Sequence, residues 1–323
     1  MESYSEPDHQ EHWGLILAGG DGTRLRPLTR RITGDERPKQ FCPILGRETL
    51  LDQTRRRTAL LLTPERTSIM VTRAHERFYS PLLADLPGCC VAVQPDNRGT
   101  APAILYGLLR LTATAPTDPV AVFPSDHYVS DDAAFMAHVS AAFDAVCARP
   151  DLVTLLGISP ETPEVEYGWV EPGEGVPGEP TGRLRRVRCF WEKPSLPTAR
   201  TLLARGCLWN SFVMVGRVSA FLALIRVALP GLYAAFAAVR PRLGTPLEEE
   251  AVRRLYAGLP AANFSREVLA TRPANLAVLP VRGVAWSDWG VPRRVLATLG
   301  RLGLRPEWAH PAAAPPAYRT QPS

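Results

Sequence analysis

The chain has 323 residues, 46% of them hydrophobic and 21% charged, which is enough to bury a large core in one big α/β domain or two smaller ones. Its net charge of +5 is scattered apart from short clusters such as Arg55-Arg56-Arg57 and Arg185-Arg186. That argues against a nucleic-acid partner, whose footprint concentrates charge on one element or tail. Six cysteines without C-x-x-C spacing argue against a disulfide framework or a zinc site, and most fit buried small hydrophobes. Residues 1–10 are polar and acidic with no apolar signal core, and the apolar run over 221–229 contains Arg226 and is too short to span a bilayer. No membrane partner is expected, and the cytoplasm is the expected compartment.

Taken in chain order, apolar runs and helical patterns alternate. A strand is expected over 13–18, a helix over 49–62, a strand over 67–72 and a helix over 75–86. A strand over 89–94, a helix over 100–112, a strand over 120–123, a helix over 131–149 and a strand over 152–158 follow. The strands are short and apolar on both faces, as in a sheet covered by helices on each side. The alternation predicts an α/β fold, with a doubly wound, mostly parallel (mixed), Rossmann-like sheet. The second half is less regular. Residues 172–180, rich in Gly, Pro and Glu, read as an exposed hairpin or loop. Strands are expected over 183–192, 208–216 and 276–281, several helices between 218 and 256, and a last helix over 292–302. Residues 1–11 and 305–323 read as loose tails, the latter rich in Pro and Ala. There is no hexapeptide series that would build an appended β-helix.

Ligands in doubly wound folds bind beyond the carboxyl ends of the strands. Three polar or glycine-rich segments fall on that edge: the loop Gly19-Gly20-Asp21-Gly22-Thr23-Arg24, the turn over 94–100, and Pro124-Ser125-Asp126-His127. Glycine has no Cβ, so the first loop can bring backbone N–H groups against a phosphate or a base. It is neither a P-loop nor a dinucleotide fingerprint, because it lacks the Lys-Ser/Thr and the third glycine. Thr23 can donate to a phosphate oxygen and Arg24 can neutralise one; the alternative is a tight strand-to-helix turn. Of the 37 basic side chains only two are lysines, Lys39 in Pro38-Lys39 and Lys193 in Lys193-Pro194. In so arginine-rich a chain, these positions suit a compact point charge on a flexible stem, or are chance survivals.

Asp126 after a buried strand reads as a Mg²⁺ ligand or as a turn cap, and His127 as an orienting or a packing residue. Asp288, between Trp286 and Trp289, needs a partner if buried: a metal, or the helix beginning near Pro292. Glu192 can accept from sugar hydroxyls, Lys193 can hold a phosphate and Asn210 can donate and accept, unless Glu192-Lys193 is a surface pair. Gly168 allows a backbone approach, with Tyr167 beside it. In Gln94-Pro95-Asp96-Asn97-Arg98-Gly99-Thr100, Thr100 or Asn97 is expected to cap the following helix, with Gly99 and the turn backbone lining a base and ribose.

The segment Leu17-Ala18-Gly19-Gly20-x-Gly22-Thr23-Arg24-Leu25-x-Pro27-Leu28 is followed by Pro38-Lys39-Gln40-Phe41. With Gly99-Thr100-Ala101-Pro102-Ala103-Ile104, Phe123-Pro124-Ser125-Asp126-His127 and Trp191-Glu192-Lys193-Pro194, it resembles the sugar-nucleotide pyrophosphorylases, nucleotidyltransferases that make NDP-sugars. The likeness runs in order from about Gly14 to Leu299 and is greatest to the mannose-1-phosphate guanylyltransferases. It implies a catalytic domain over 12–304, with a nucleotide part over about 12–160 and a sugar-phosphate part over about 161–304. It implies GTP and mannose 1-phosphate as substrates and GDP-mannose and pyrophosphate as products. Arg24, Lys39 and Asp126 would be catalytic, and Asp126 and Asp288 would hold Mg²⁺. Leu17, Ala18, Gly19, Gly20, Gly22, Thr23, Arg24, Lys39, Gln94, Gly99, Thr100 and Ala101 would bind the nucleotide. Tyr167, Gly168, Glu192, Lys193 and Asn210 would bind the sugar phosphate. A common form of the family motif has Asn where this chain has Gly99. The alternatives are a pyrophosphorylase for another NTP and sugar 1-phosphate, such as glucose 1-phosphate, or a non-catalytic, ligand-sensing relative. A homodimer is compatible with either reading.

Overall fold

A computed structural model describes residues 11–113, 115–179 and 182–309. The main strands are β1 (Trp13–Leu17), β2 (Thr67–Thr72), β3 (Val91–Gln94) and β4 (Pro119–Pro124) in the first part. A two-residue strand β5 (Tyr128–Val129) and then β6 (Val153–Ile158), β7 (Gly168–Gly175), β8 (Arg185–Glu192), β9 (Leu208–Arg217), β10 (Leu276–Val281) and β11 (Trp286–Ser287) follow. Nine of them form one sheet in the order β3-β2-β1-β4-β9-β6-β10-β8-β7, and β11 pairs with β5 in a small second sheet. The strands β3, β2, β1 and β4 run parallel, β9 enters antiparallel between β4 and β6, and β10 is parallel to β6. This is the expected mixed, mostly parallel sheet. Every residue of β2, β4 and β6 is buried, the signature of strands covered on both faces.

Helices pack on the two faces. They are α1 (Arg26–Thr33), α2 (Leu50–Thr58), α3 (Glu76–Tyr79), α4 (Thr100–Leu111) and α5 (Asp132–Ala148). In the second half come α6 (Leu196–Ala204), α7 (Val218–Ala228), α8 (Pro230–Val239), α9 (Glu248–Ala257) and α10 (Pro292–Arg301). Side-chain caps explain several starts. Thr49 and Asp52 form a reciprocal capping box on α2, Asp131 caps α5, and Ser195 caps α6. One core layer holds Phe135, Phe143 and Trp169 on the α5 face, and another holds Ile104, Phe221 and Phe264 on the α4 and α7 face. A third, smaller cluster packs Leu25, Leu28, Ile44, Tyr128, Trp289 and Val295 together. That cluster fastens α10 to the chain just after the glycine loop.

Several expectations are corrected. The helix expected over 75–86 is only α3, one turn long, preceded by the 3-10 turn Arg73–His75. Pro81 has no N–H to continue the helix, and its ring meets the carbonyl one turn back. The helix expected over 49–62 ends at Thr58, six residues before Pro64, and its last residues form turns. The strand expected from Cys89 begins at Val91 because Gly88–Cys90 is a 3-10 turn. Residues 172–175 belong to β7, which reaches past Pro172 by register shifts against β8; there β7 has left its pairing with β9 and is bonded on one side only, where a proline is tolerated. Strands β5 and β11 and helices α1 and α6 add to the elements expected. Of the expected tails, residues 1–10 and 310–323 lie outside the described residues, whereas Glu11 pairs with Arg66 and Trp308 packs against the third cluster. None of the six cysteines is in a disulfide; Cys42, Cys90 and Cys207 are buried, Cys189 is half-buried and Cys89 and Cys147 are exposed, so half rather than most are buried. No described helix is long and apolar enough to cross a membrane.

Arg57 is buried, and its Nε donates to Asp132 at 2.6 Å, joining α2 to the first turn of α5. Removing one partner of a buried pair leaves the other charge uncompensated. Arg56 also reaches Asp132, at 3.1 Å, so the charge left uncompensated is that of the buried Arg57 when Asp132 is removed. Asp132→Ala is therefore expected to lower the unfolding free energy by about 3 kcal/mol, measured by urea denaturation, and a loss confined to a few tenths would contradict this account.

Candidate active site

The parallel strands deliver three loops to one sheet edge. Strand β1 runs into the glycine loop, β3 into the 94–100 turn, and β4 into Ser125 and Asp126. Ser125 N donates to Leu17 O at 3.2 Å and Ala18 N to Met70 O at 2.7 Å, which stitches the loop bases together. The loop then turns sharply. Gly22 has φ +57°, and a Cβ there would come within 3.0 Å of Lys39 N, so the left-handed turn and the close approach both require glycine. Gln40 Nε2 donates to Ala18 O at 3.0 Å and to Gly20 O at 2.7 Å, holding the loop carbonyls inward. Gln40 stood in the recognised motif without an assigned role.

Gly22, Thr23, Arg24, Lys39, Asp126, His127, Asp288 and Gly290 line a polar cleft of about 300 Å³. Lys39 is only 7% exposed. Its ammonium lies 3.3 Å from Asp126 Oδ2 and donates to the backbone carbonyl of Asp288. Segments 39, 126 and 288 thus meet at one cation. Asp288 accepts from Gly290 N at 2.8 Å and from Arg294 Nη1 at 2.6 Å. Burial alone would raise its carboxyl, but the charges of Lys39 and Arg294 prevail and hold it below the usual carboxylate range. A Cβ on Gly290 would come within 2.5 Å of Asp288 Oδ2 and 3.1 Å of Arg24 Nη2, so Arg24 and Asp288 converge there. Arg24 also pairs with Glu166 at 2.8 Å. Burial drives the His127 imidazole down to about 4, and its ring sits edge-on to Trp286 at 5.2 Å. Its Nε2 also lies 3.6 Å from Asp126 Oδ1, so the ring both packs on Trp286 and faces that carboxylate.

Arg294 had no signal in the sequence beyond being one arginine among many. It is buried, pairs with Glu164 as well as Asp288, and lies 4.4 Å over the Tyr167 ring. Tyr167 is itself buried between Trp209 and Trp286, its hydroxyl 3.4 Å from Ser287 Oγ. It supports the Asp288 side of the cleft from behind.

The other expected residues gather where β7, β8 and β9 pair. Gly168 opposes Glu192 in register, and a Cβ there would meet Glu192 Oε2 at 3.2 Å and Asn210 Cβ at 3.4 Å. Gly168, Glu192 and Asn210 therefore form one group. Asn210 Oδ1 accepts from Phe212 N at 3.1 Å, which aims the amide. Lys193, exposed, follows with φ +47°. Among the described residues the left-handed non-glycines are Lys193, Phe212 and Trp289, each within two residues of one singled out from sequence. Strained backbone of this kind persists only where the surroundings over-determine it.

The 94–100 turn departs from the expected capping. Gly99 is the helix-start residue of α4, with φ +86° and no side-chain cap. Asn97 Oδ1 accepts from Gly99 N at 3.0 Å, and Thr100 Oγ1 accepts from Phe264 N at 2.8 Å. Thr100 bonds elsewhere because the 262–264 segment packs on this turn. A Cβ on Gly99 would come within 2.5 Å of Ala262 O. That crowding, with the positive φ, explains glycine here. Asn97 Nδ2 also donates to Asp21 at 2.8 Å, bridging the turn to the glycine loop.

Burial raises the Glu192 carboxyl, opposed by the nearby charges of Lys193 and Arg266. A native carboxyl with a raised pKa binds its proton more tightly than the unfolded chain does. Its charged form thus costs stability above the ordinary carboxylate range, and the cost fades at lower pH. Glu192→Gln should melt higher than the parent near pH 8, with the difference closing by about pH 4; a constant offset across a thermal-melt series would contradict the assignment.

Residues 13–232 match the Nucleotidyl transferase family. The xanthan biosynthesis protein XanB of Xanthomonas campestris pv. campestris (strain B100) is 36% identical over 222 residues, covering 68% of this chain and 44% of that protein. A mannose-1-phosphate guanylyltransferase of Escherichia coli (strain K12) is 31% identical over 286 residues, covering 85% of this chain and 57% of that one. The chain thus spans about half the length of the curated relatives it matches. Among solved structures, that titled mannose-1-phosphate geranyltransferase, from Thermus thermophilus, superposes with a TM-score of 0.76 at 32% identity, covering 89% of this chain and 79% of that one.

Proposed function

The chain belongs to the nucleotidyl transferase family, and on that footing we propose that it joins GTP to mannose 1-phosphate, giving GDP-mannose and pyrophosphate. The observation that carries this reading is the buried Lys39 ammonium between Asp126 and the Asp288 carbonyl, at the mouth of the glycine loop. Relatives named for mannose 1-phosphate guanylyl transfer, with the Gly168, Glu192 and Asn210 group on the same sheet, support the choice of substrates.

An oxygen of the sugar phosphate attacks the α-phosphorus of GTP in line, the bond to the β-phosphate breaks, and pyrophosphate leaves. Such chemistry is mostly positioning and charge neutralisation. Arg24 and Lys39 neutralise the departing pyrophosphate, and Lys193 holds the attacking phosphate. Glu192 and Asn210 bind sugar hydroxyls. The nucleophile is already ionised near neutral pH, so no general base is required. Asp126 and Asp288 would hold a divalent cation. Among the described residues no cluster of three or more His, Cys, Asp or Glu forms a self-sufficient metal cage. Two carboxylates suit Mg²⁺, which fills the rest of its shell with phosphate and water. When bound, the cation neutralises charge at the α-phosphate and the attacking oxygen.

Asp126→Ala should reduce pyrophosphate release from GTP plus mannose 1-phosphate by about 100-fold or more. A near-normal rate would remove Asp126 from the metal site. Lys39→Arg keeps the charge and changes only its shape. It should lower kcat by about tenfold or more, because a planar guanidinium does not fit between Asp126 and the Asp288 carbonyl. Full activity in the Arg variant would mean that only charge is needed there. A panel of NTPs with mannose and glucose 1-phosphates tests the substrate pair directly.

A further inference from the structure

Behind the glycine loop, Gln94 ends β3 and is 2% exposed. Its Oε1 accepts the hydroxyl proton of Tyr256, from α9, at 3.0 Å. Tyr256 is fully buried, and burial raises its phenol further above neutrality, so the hydroxyl keeps a proton that needs an acceptor. Reversing the amide would let Nε2 donate to the hydroxyl oxygen but take Oε1 away from the hydroxyl proton, whose one acceptor among the described residues is Gln94, and leave that buried proton unbonded. With Oε1 engaged, Nε2 is the end of the amide that faces the glycine loop. A Cβ on Gly19 would come within 2.7 Å of it. The loop and the 94–100 turn are bridged here by Asp21 and Asn97.

We infer that Tyr256 fixes the Gln94 amide with its N–H end toward the nucleotide and so makes the site select a base with a carbonyl at purine C6 or pyrimidine C4 over one with an amine at that position. The inference rests on reading this cleft as a nucleotide site, and not on the choice of GTP. An N–H donor is matched by the carbonyl of guanine, hypoxanthine or uracil. Against the amine of adenine or cytosine, donors face each other and both lose water without gaining a bond. Tyr256 is a positioning residue that acts through Gln94. It lies beyond residues 13–232, the part of the chain that matches the family.

Inosine and adenosine triphosphates differ only at position 6 and N1 of the purine, and UTP and CTP form the matching pyrimidine pair. Binding of all four to the full chain, with Mg²⁺, is followed by isothermal titration. The wild type should bind ITP over ATP and UTP over CTP. Tyr256→Phe should shrink both ratios by about tenfold while binding ITP nearly as well. Gln94→Met should shrink them as much, and the double variant no further. Gln94→Glu puts an oxygen where Nε2 stood and should shift preference toward ATP and CTP, which tests the inference even if Tyr256→Phe does not fold. Wild-type ratios in Tyr256→Phe, or equal weakening of all four nucleotides, would overturn it. If UTP is the preferred nucleotide with these ratios intact, the GTP assignment falls and this inference stands. If GTP is preferred and the ratios do not respond to Tyr256, the reverse holds.

Discussion

The Lys39 ammonium is the point on which the cleft depends. A charge this deeply buried requires partners, and it finds them on two segments far away in sequence, the Asp126 carboxylate and the Asp288 carbonyl. Its own segment is fixed by the glycine loop, because Gly22 leaves room for the Lys39 backbone and Gln40 grips Ala18 and Gly20. The loop after β1, the end of β4 and the turn after β11 thus have one arrangement in which that charge is satisfied.

Around this point the fold accepts strain. Trp289 takes a left-handed backbone between Asp288 and Gly290, secured by stacking on Tyr128 at 5.1 Å and by its indole N–H donating to Thr298 at 3.0 Å. The third hydrophobic cluster is what over-determines that turn. Arg294, from the helix that the cluster anchors, then keeps Asp288 charged and oriented. Strands β4 and β9 are neighbours in the sheet, and β9 also pairs with β7. One sheet therefore spans from Asp126 to Gly168 and Asn210, so the distance between the Lys39 cleft and the Gly168, Glu192 and Asn210 group is set by strand spacing rather than by a flexible linker.

Much of the architecture was legible because buried parallel strands are continuous apolar runs and their helices carry recognisable starts. Strands β2 and β10 fall where the apolar runs stop. The helix after residue 75 failed because Pro81 outweighs an otherwise helical pattern. The strand through Pro172 failed because pairing with β8 overrides a turn-rich composition. In the site, glycines and motif residues announced themselves by type and spacing. Arg294 and Tyr256 did not, since a buried arginine and a buried tyrosine look like any other until their partners are known.

The sequence by itself determined the fold class, the glycine loop, and which carboxylates, lysines and amides are worth considering, since these follow from local pattern and residue chemistry. Only the tertiary structure decided which of them share a cleft. It put Lys39 between residues 126 and 288, backed Asp288 with Arg294, and turned the Gln94 amide with Tyr256. Each of these is a long-range contact in which a buried charge or polar group must find its complement, and such complements are assigned by packing in space rather than by order along the chain.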